Sequence, residues 1–71
     1  MSYARWGDES DVYVYYDGDG YICYCVDNSI PYFVTTEIDD MITYLEELKL
    51  KGYKVPQYTI QSLKDELNEI V

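Results

Sequence analysis

The sequence predicts an α+β fold: a small antiparallel sheet followed by two helices that pack on one of its faces, in the order ββ(β)αα. Two observations carry this prediction. A β-hairpin pattern occupies residues 10–27, and two helical stripes of apolar residues follow it between residues 37 and 70. A chain of 71 residues is long enough for one such core, so we expect a single domain over residues 1–71.

The hairpin is the stretch around which the rest of the chain is organised. Residues 12–16 and 21–26 are runs of β-branched and aromatic residues, which suit a pleated, half-buried surface. The sequence Asp-Gly-Asp-Gly at residues 17–20 is typical of a tight turn, because glycine adopts positive φ without steric cost. Together the three segments predict two antiparallel strands and the turn between them.

The register of the hairpin decides which side chains face the helices. A symmetric turn at Gly18 and Asp19 pairs Val14 with Cys23, and side chains then alternate between two unlike faces. One face carries Val12, Val14, Cys23 and Cys25. The other carries Tyr13, Tyr15, Ile22, Tyr24 and Val26. We expect the helices to cover the small apolar face and leave the tyrosines outward, whereas a bulged three-residue turn would exchange the two faces.

The next elements are predicted from apolar spacing and capping residues. A third strand at residues 32–34 would follow Pro31 and complete an antiparallel meander. The first helix should run from about residue 37 to residue 51, with Thr36 as a weak cap and Gly52 as its C-terminal stop. Its apolar stripe consists of Ile38, Met41, Ile42, Leu45 and Leu48.

The two ends of the chain complete the predicted architecture. A second helix is expected from about residue 60 to residue 69, with Thr59 as its N-cap. Its stripe consists of Ile60, Leu63, Leu67 and Ile70. Before the hairpin, Trp6 is expected to anchor the N-terminal arm against the edge of the sheet, because large aromatic residues dominate small cores. An exposed anchor at a protein interface is the alternative for this residue.

The charge of the chain limits what it can bind. Fourteen acidic residues against five basic ones give a formal net charge of −9. This excess disfavours direct binding to nucleic acid and to anionic membranes, and it favours a protein partner with a basic surface or serves solubility alone. No apolar run is long enough for a transmembrane helix, and the N-terminus lacks the pattern of a signal peptide, so we expect a cytoplasmic protein.

No catalytic residue, cofactor site or metal site is predicted. The chain has no histidine, so the usual general base near neutral pH is missing and we expect no enzymatic activity. Cys23 and Cys25 occupy alternate positions of one strand, where a disulfide would be strained, and they supply only half of a tetrahedral zinc site. We therefore expect two free thiols.

Four segments of the chain form a recognisable pattern: YARW at residues 3–6, SDVYVY at 10–15, the Cys23-x-Cys25 pair, and the helix end GYKVP at 52–56. This pattern resembles that of small uncharacterised proteins encoded by tailed phages, over nearly the whole chain. Members of that group often carry further cysteine and histidine residues that could hold zinc, whereas Tyr44 and Tyr53 stand in such places here. The resemblance implies a phage setting, and hence the host cytoplasm, but no metal site or activity.

The chain is unusually rich in tyrosine, with ten of its 71 residues, and this enrichment bears on its function. Tyrosine buries a large, rigid surface at low entropic cost and is enriched at protein interfaces. With the surplus acid, this favours a phage-encoded, acidic protein-binding module: an inhibitor or modulator of a host protein such as a nucleic-acid-binding defence complex, of the anti-CRISPR or DNA-mimic type. The expected partner-binding residues are Tyr13, Tyr15 and Tyr24 on the sheet, and Asp39, Asp40, Glu46 and Glu47 on the first helix.

Two other interpretations stay open at this point. One is a structural or accessory phage domain without an inhibitory role, either a virion component or a homodimer with a self-complementary tyrosine face. The other is a degenerate zinc domain that has kept its fold and lost its metal. The expected partner is a host or phage protein with a basic surface, and the chain itself is expected to be a monomer or a homodimer.

Overall fold

The computed structural model describes residues 2–70, and for Ile70 only the backbone; it shows an antiparallel sheet followed by two helices. The strands span Ser2–Ala4 (β1), Val12–Tyr16 (β2), Tyr21–Cys25 (β3) and Phe33–Thr35 (β4). The helices span Ile38–Leu50 (α1) and Gln57–Ile70 (α2). Within the sheet the strands lie in chain order, β1-β2-β3-β4. The predicted α+β class is confirmed, with one strand more than the sequence predicted.

The predicted register of the β2–β3 hairpin is confirmed, with Val14 opposite Cys23 and Val12 opposite Cys25. Val12, Val14 and Cys23 are buried, whereas Cys25 at the end of its strand is half-buried. Helix α1 contacts β3 and β4, and α2 contacts β1. The core therefore lies between the small apolar face of the sheet and the two helices, as expected.

Asp17 and Gly18 build the turn that sets this register. The backbone N–H of Asp17 donates to the Gly20 carbonyl at 3.2 Å. The Asp17 carboxylate accepts the N–H groups of Asp19 and Gly20, at 2.9 and 3.0 Å. Gly18 adopts a φ of +98°, a conformation in which any larger residue is strained. The turn is closed by local contacts, so its geometry could be predicted from local sequence.

Strand β1 was absent from the predicted architecture, yet it pairs with β2 and places Ala4 opposite Val14. Three residues without an alternating apolar pattern give no strand signal. The strand is held from outside: the Thr59 hydroxyl of α2 donates a 3.0 Å hydrogen bond to the Tyr3 carbonyl. This contact joins positions far apart in the sequence, which explains why local patterns miss the strand.

Strand β4 completes the predicted meander but lies one residue later than predicted, at Phe33–Thr35 instead of residues 32–34. The Phe33 ring stacks on that of Tyr44 in α1, with centroids 4.2 Å apart. Tyr32 precedes the strand and is exposed. The strand is therefore fixed by its contact with α1 on one face and presents Val34 on the other.

Helix α1 buries all five residues of its predicted stripe, so the periodicity argument is confirmed. Its N-terminus differs from the prediction. The N-cap residue is Glu37, which makes no side-chain capping hydrogen bond, so the proposed cap by Thr36 is wrong. The Thr35 hydroxyl accepts the Glu37 N–H at 3.1 Å and satisfies this backbone group instead.

The C-terminus of α1 follows the prediction at Gly52, which has a φ of +104°. The N–H of Tyr53 donates to the Leu48 carbonyl at 3.2 Å, and that of Gly52 donates to the Lys49 carbonyl at 3.1 Å. This pair of bonds is a Schellman motif, which satisfies the last carbonyl groups of the helix. The glycine stop turns the chain toward α2.

Helix α2 begins at Gln57, about one turn earlier than predicted, and the predicted Thr59 cap is wrong. Thr59 is buried within the first turn, where its hydroxyl donates to the Tyr3 carbonyl of β1 and does not cap the helix. Ile60 and Leu63 are buried and Leu67 is half-buried, in agreement with the stripe. The predicted place of the Ile70 side chain in this stripe lies outside the described residues.

The close approach of Gly20 to β4 yields a stability prediction. A Cβ atom at this position would lie 2.9 Å from the backbone carbonyl oxygen of Thr35, which can move only if β4 shifts. We expect Gly20→Ala to lower the free energy of unfolding by about 1–3 kcal/mol, the usual cost of overpacking. Urea denaturation of the purified variant measures the change.

Gly7→Ala is the matched control, because a Cβ atom at Gly7 would meet nothing within 4 Å. Its midpoint of unfolding should stay close to that of the wild type. A Gly20→Ala variant as stable as this control would contradict the close packing of the turn against β4.

Candidate protein-interaction surface

Five aromatic rings run in a continuous series across the outer face of the sheet, the face opposite the helices. They belong to Trp6, Tyr13, Tyr15, Tyr24 and Tyr32, and we call them the aromatic strip. Successive ring centroids are 6.0, 5.6, 6.3 and 5.5 Å apart. Such separations are typical of aromatic rings in contact, so the strip is one surface and not a set of isolated side chains.

The strip is open to solvent. Trp6 is 49% exposed, Tyr24 41% and Tyr32 61%, whereas Tyr13 and Tyr15 are half-buried between their neighbours. Alternation along β2 and β3 turns these tyrosines away from Val12, Val14 and Cys23 of the core. Val26 and Val34, also exposed, extend the apolar surface beyond the rings.

The structure brings together the three tyrosines expected to bind a partner, Tyr13, Tyr15 and Tyr24, and adds two residues that the sequence did not place there. Trp6 packs on Tyr13 and stays half exposed, which agrees with the alternative of an exposed anchor. Tyr32 joins the series through Tyr24. The sequence prediction placed Tyr32 in the third strand, whereas it precedes β4 in the structure.

The four expected acidic residues of α1 form a separate surface. Asp39, Asp40, Glu46 and Glu47 are all exposed. They lie outside the buried stripe of α1, and Asp40, in the first turn, also accepts the Thr35 hydroxyl of β4 at 3.4 Å on the helix side of the sheet. The aromatic strip lies on the other side of the sheet, so a single flat partner surface cannot contact both sets. The structure does not join the two halves of the predicted site.

A second polar cluster links the sheet to α2, and sequence reasoning did not find it. Glu66 accepts hydrogen bonds from the hydroxyl groups of Tyr3 and Tyr21, the latter at 3.3 Å. Burial and the hydrogen bond to the Glu66 carboxylate raise the pKa of Tyr3 far above its ordinary value. Tyr3 and Glu66 also line an open groove, together with Asp65 and Glu69. The three members of the cluster come from three elements, which no local pattern relates.

Asp27 ties the loop after the hairpin to the loop after α1. Its carboxylate accepts the Tyr53 hydroxyl at 2.6 Å and both the N–H and the hydroxyl of Ser29, at 2.9 and 2.7 Å. The Tyr53 hydrogen bond is the largest cause that lowers the pKa of Asp27 from 3.8 to about 2. Tyr53 thus serves as the hydrogen-bond donor that joins the two loops.

This contact predicts a pH dependence. Because the folded-state pKa of Asp27 is lower than its ordinary value, its stabilising effect is complete above about pH 4 and is lost as the pH falls toward 2. In Tyr53→Phe the pKa of Asp27 should rise toward 3.8, as measured by NMR titration of its carboxyl carbon. Tyr58→Phe, at an exposed tyrosine, is the control and should leave it unchanged. An unshifted Asp27 in Tyr53→Phe would exclude the contact.

The two thiols are free, as expected, but they differ in accessibility. Cys23 is only 1% exposed, and burial raises its pKa to about 12, whereas Cys25 is half-buried. A thiol with such a pKa is almost entirely protonated at neutral pH and reacts slowly. Within residues 2–70, no group of three or more histidine, cysteine or acidic side chains is placed to hold a metal ion.

Thiol labelling measures this difference directly. Cys25→Ser leaves only the thiol of Cys23, which should react with Ellman's reagent far more slowly in the native protein than in guanidinium. The matched Cys23→Ser variant leaves the more accessible thiol, which should label faster. Equal native rates in the two variants would contradict the orientation of β3.

Comparison with known proteins adds no assignment: no family model, curated protein or solved structure matches the chain significantly. Neither helix within residues 2–70 is long and apolar enough to cross a bilayer. The case for a function therefore depends on the surfaces described above.

Proposed function

We propose that this protein is a protein-binding module whose aromatic strip contacts a partner with a basic surface. The strip itself carries the proposal, because its five contacting rings cover a sheet face that neither helix protects. Soluble proteins seldom leave a large apolar patch exposed, and such patches mark sites of interaction. Tyrosine and tryptophan are also the residues most enriched among those that dominate binding energy.

The arrangement of the rings favours tight contact. Tyr24 and Tyr32 are the most exposed tyrosines of the strip, and each is braced by a neighbouring ring at 6.3 and 5.5 Å. Bracing reduces the side-chain entropy that is lost on binding. An anchor of this kind commonly contributes about 2 kcal/mol or more when a partner desolvates it.

The charge of the chain supports the choice of partner. A net charge of −9 attracts a basic surface over a distance, and the acidic side of α1 contributes to this field. Grooves that grip nucleic acid carry the required positive charge. Because the sequence resembles small tailed-phage proteins, we propose that this protein is an inhibitor or modulator of a host nucleic-acid-binding defence complex.

Two surface variants test the proposal. The strip variant carries Tyr13→Ala, Tyr15→Ala and Tyr24→Ala. The acid variant carries Asp39→Asn, Asp40→Asn, Glu46→Gln and Glu47→Gln. With the partner captured from host lysate by the wild type, the strip variant should dissociate much faster, since it lacks the anchors. The acid variant should associate more slowly and with a weaker dependence on salt, and its dissociation rate should change much less than that of the strip variant.

Circular dichroism must first show that both variants are folded. Unchanged affinity in a folded strip variant would exclude the strip as the interface. If only the acid variant loses the partner, and excess duplex DNA displaces the wild-type protein, the contact is the acidic side of α1 and the protein acts as a DNA mimic.

A self-complementary strip would instead make a homodimer, the structural alternative. Nine net negative charges on each copy oppose self-association, so we expect a monomer in light scattering at physiological salt. A stable dimer that the strip variant dissociates would replace the inhibitor proposal with a structural role.

A further inference from the structure

The two edges of the sheet differ in how far they are blocked from pairing with a further strand. At the β1 edge, the Tyr3 carbonyl accepts the Thr59 hydroxyl of α2 at 3.0 Å. The β1 pairing is also irregular, a feature that discourages further strand pairing. At the other edge, β4 is regular in its pairing with β3, and its residues Phe33, Val34 and Thr35 carry no charge.

The hydrogen-bond pattern shows which backbone groups of β4 face outward. In antiparallel pairs, hydrogen-bonded and non-hydrogen-bonded residue pairs alternate. The Val26 N–H donates to the Asp11 carbonyl at 2.8 Å, which makes this a hydrogen-bonded pair of the hairpin. By alternation, Tyr24 and Ile22 also bond toward β2. The intervening residues of β3 therefore direct their backbone groups toward β4.

The same alternation continues into β4. Cys23 lies opposite Phe33 and Tyr21 opposite Thr35, so these pairs are the hydrogen-bonded ones. The N–H and carbonyl of Val34 consequently point away from the sheet. Among the described residues, no turn, loop or side-chain hydrogen bond involves either group. Val34 is thus a backbone donor and acceptor pair at an open sheet edge.

The surroundings of this edge differ on the two faces of the sheet. On the outer face, the Val34 side chain is 52% exposed and continues the apolar surface of the aromatic strip. On the helix face, the Thr35 hydroxyl donates to the Asp40 carboxylate at 3.4 Å, next to exposed Glu37. A strand added here would have apolar surroundings on one face and acidic surroundings on the other.

We propose that the partner adds an extended segment to β4, in which a basic residue alternates with an apolar one. The apolar side chain lies beside Val34 at the end of the aromatic strip, and the basic side chain lies beside Thr35, close to the Asp40 carboxylate. The backbone of the segment bonds the free N–H and carbonyl of Val34, which is the mode of β-strand addition. This inference rests on the proposed function and specifies how the partner binds.

Charge argues for such a segment over a second copy of the chain. Strand addition between two copies would bring two bodies of net charge −9 together at β4. A segment rich in lysine or arginine is instead attracted by the field and meets carboxylates at the edge. The open edge thus favours an extended segment, and the excess of acid favours one that carries basic residues.

A synthetic peptide provides the probe: Lys-Val-Lys-Val-Lys-Val-Lys with blocked ends. Amide hydrogen exchange, followed by NMR, reports each backbone N–H separately. At saturating peptide we expect exchange of the Val34 amide to slow by roughly tenfold or more, because a new strand protects it. The peptide Glu-Val-Glu-Val-Glu-Val-Glu has the same alternation and opposite charge, and it should give no protection.

Val34→Pro removes the outward N–H at an edge position, where proline is tolerated, and should abolish peptide binding. Val34→Thr keeps the N–H and the β-branched shape and is the matched control, which should still bind. Should the proline variant fail to fold, exchange in the wild type decides the question alone.

Three results would overturn the proposal. Peptide binding that shifts the tyrosine resonances of the strip without protecting Val34 would leave the proposed function intact and exclude strand addition. Concentration-dependent protection of Val34 without peptide would assign the edge to a second copy. Absence of any binding by the lysine peptide would exclude the segment chemistry. Failure of the proposed function itself is seen separately, in the affinity of the strip variant for the captured partner.

Discussion

Two short helices can cover only one face of a four-stranded sheet, and the rest of the structure depends on this constraint. Alternation along β2 and β3 assigns Val12, Val14 and Cys23 to the covered face. The same alternation leaves the tyrosines on the other side without a layer above them. Since both faces are fixed by one register, any slip of the hairpin would bury the rings and expose the core. The hairpin register that buries the core therefore also exposes the aromatic strip.

The position of the uncovered face also separates the aromatic strip from most of the acidic residues of α1. In the proposed function, the aromatic strip supplies short-range, desolvating contact, and the acidic residues of α1, on the helix side of the sheet, attract the partner through their field. The free edge at Val34 lies at the margin of the strip, so backbone pairing and aromatic contact are available to the same partner. At the opposite edge, the Tyr3 carbonyl is already bound by the Thr59 hydroxyl.

Local signals account for what could be predicted from the sequence. The turn at Asp17 and Gly18 sets the hairpin register, and regular spacing sets the stripe of α1, so both were predicted correctly. Strand β1 has no alternating apolar pattern, and Thr59 lies inside α2 and bonds the Tyr3 carbonyl 56 positions away, so strand β1 and the start of α2 were not predicted correctly. For the candidate site, alternation placed Tyr13, Tyr15 and Tyr24 on one face, but only the folded loops bring Trp6 and Tyr32 into contact with them.

The accessibility of the individual rings tests the one-sided covering of the sheet most directly. Photochemically induced dynamic nuclear polarisation enhances NMR signals of tyrosine and tryptophan rings that a dissolved dye can reach. The structure predicts enhancement for Trp6, Tyr24 and Tyr32 in the free protein, and none for Tyr21, which is 6% exposed on the helix side. Signals from Tyr24 and Tyr32 as weak as that of Tyr21 would contradict the account, because they would show that the outer face of the sheet is covered.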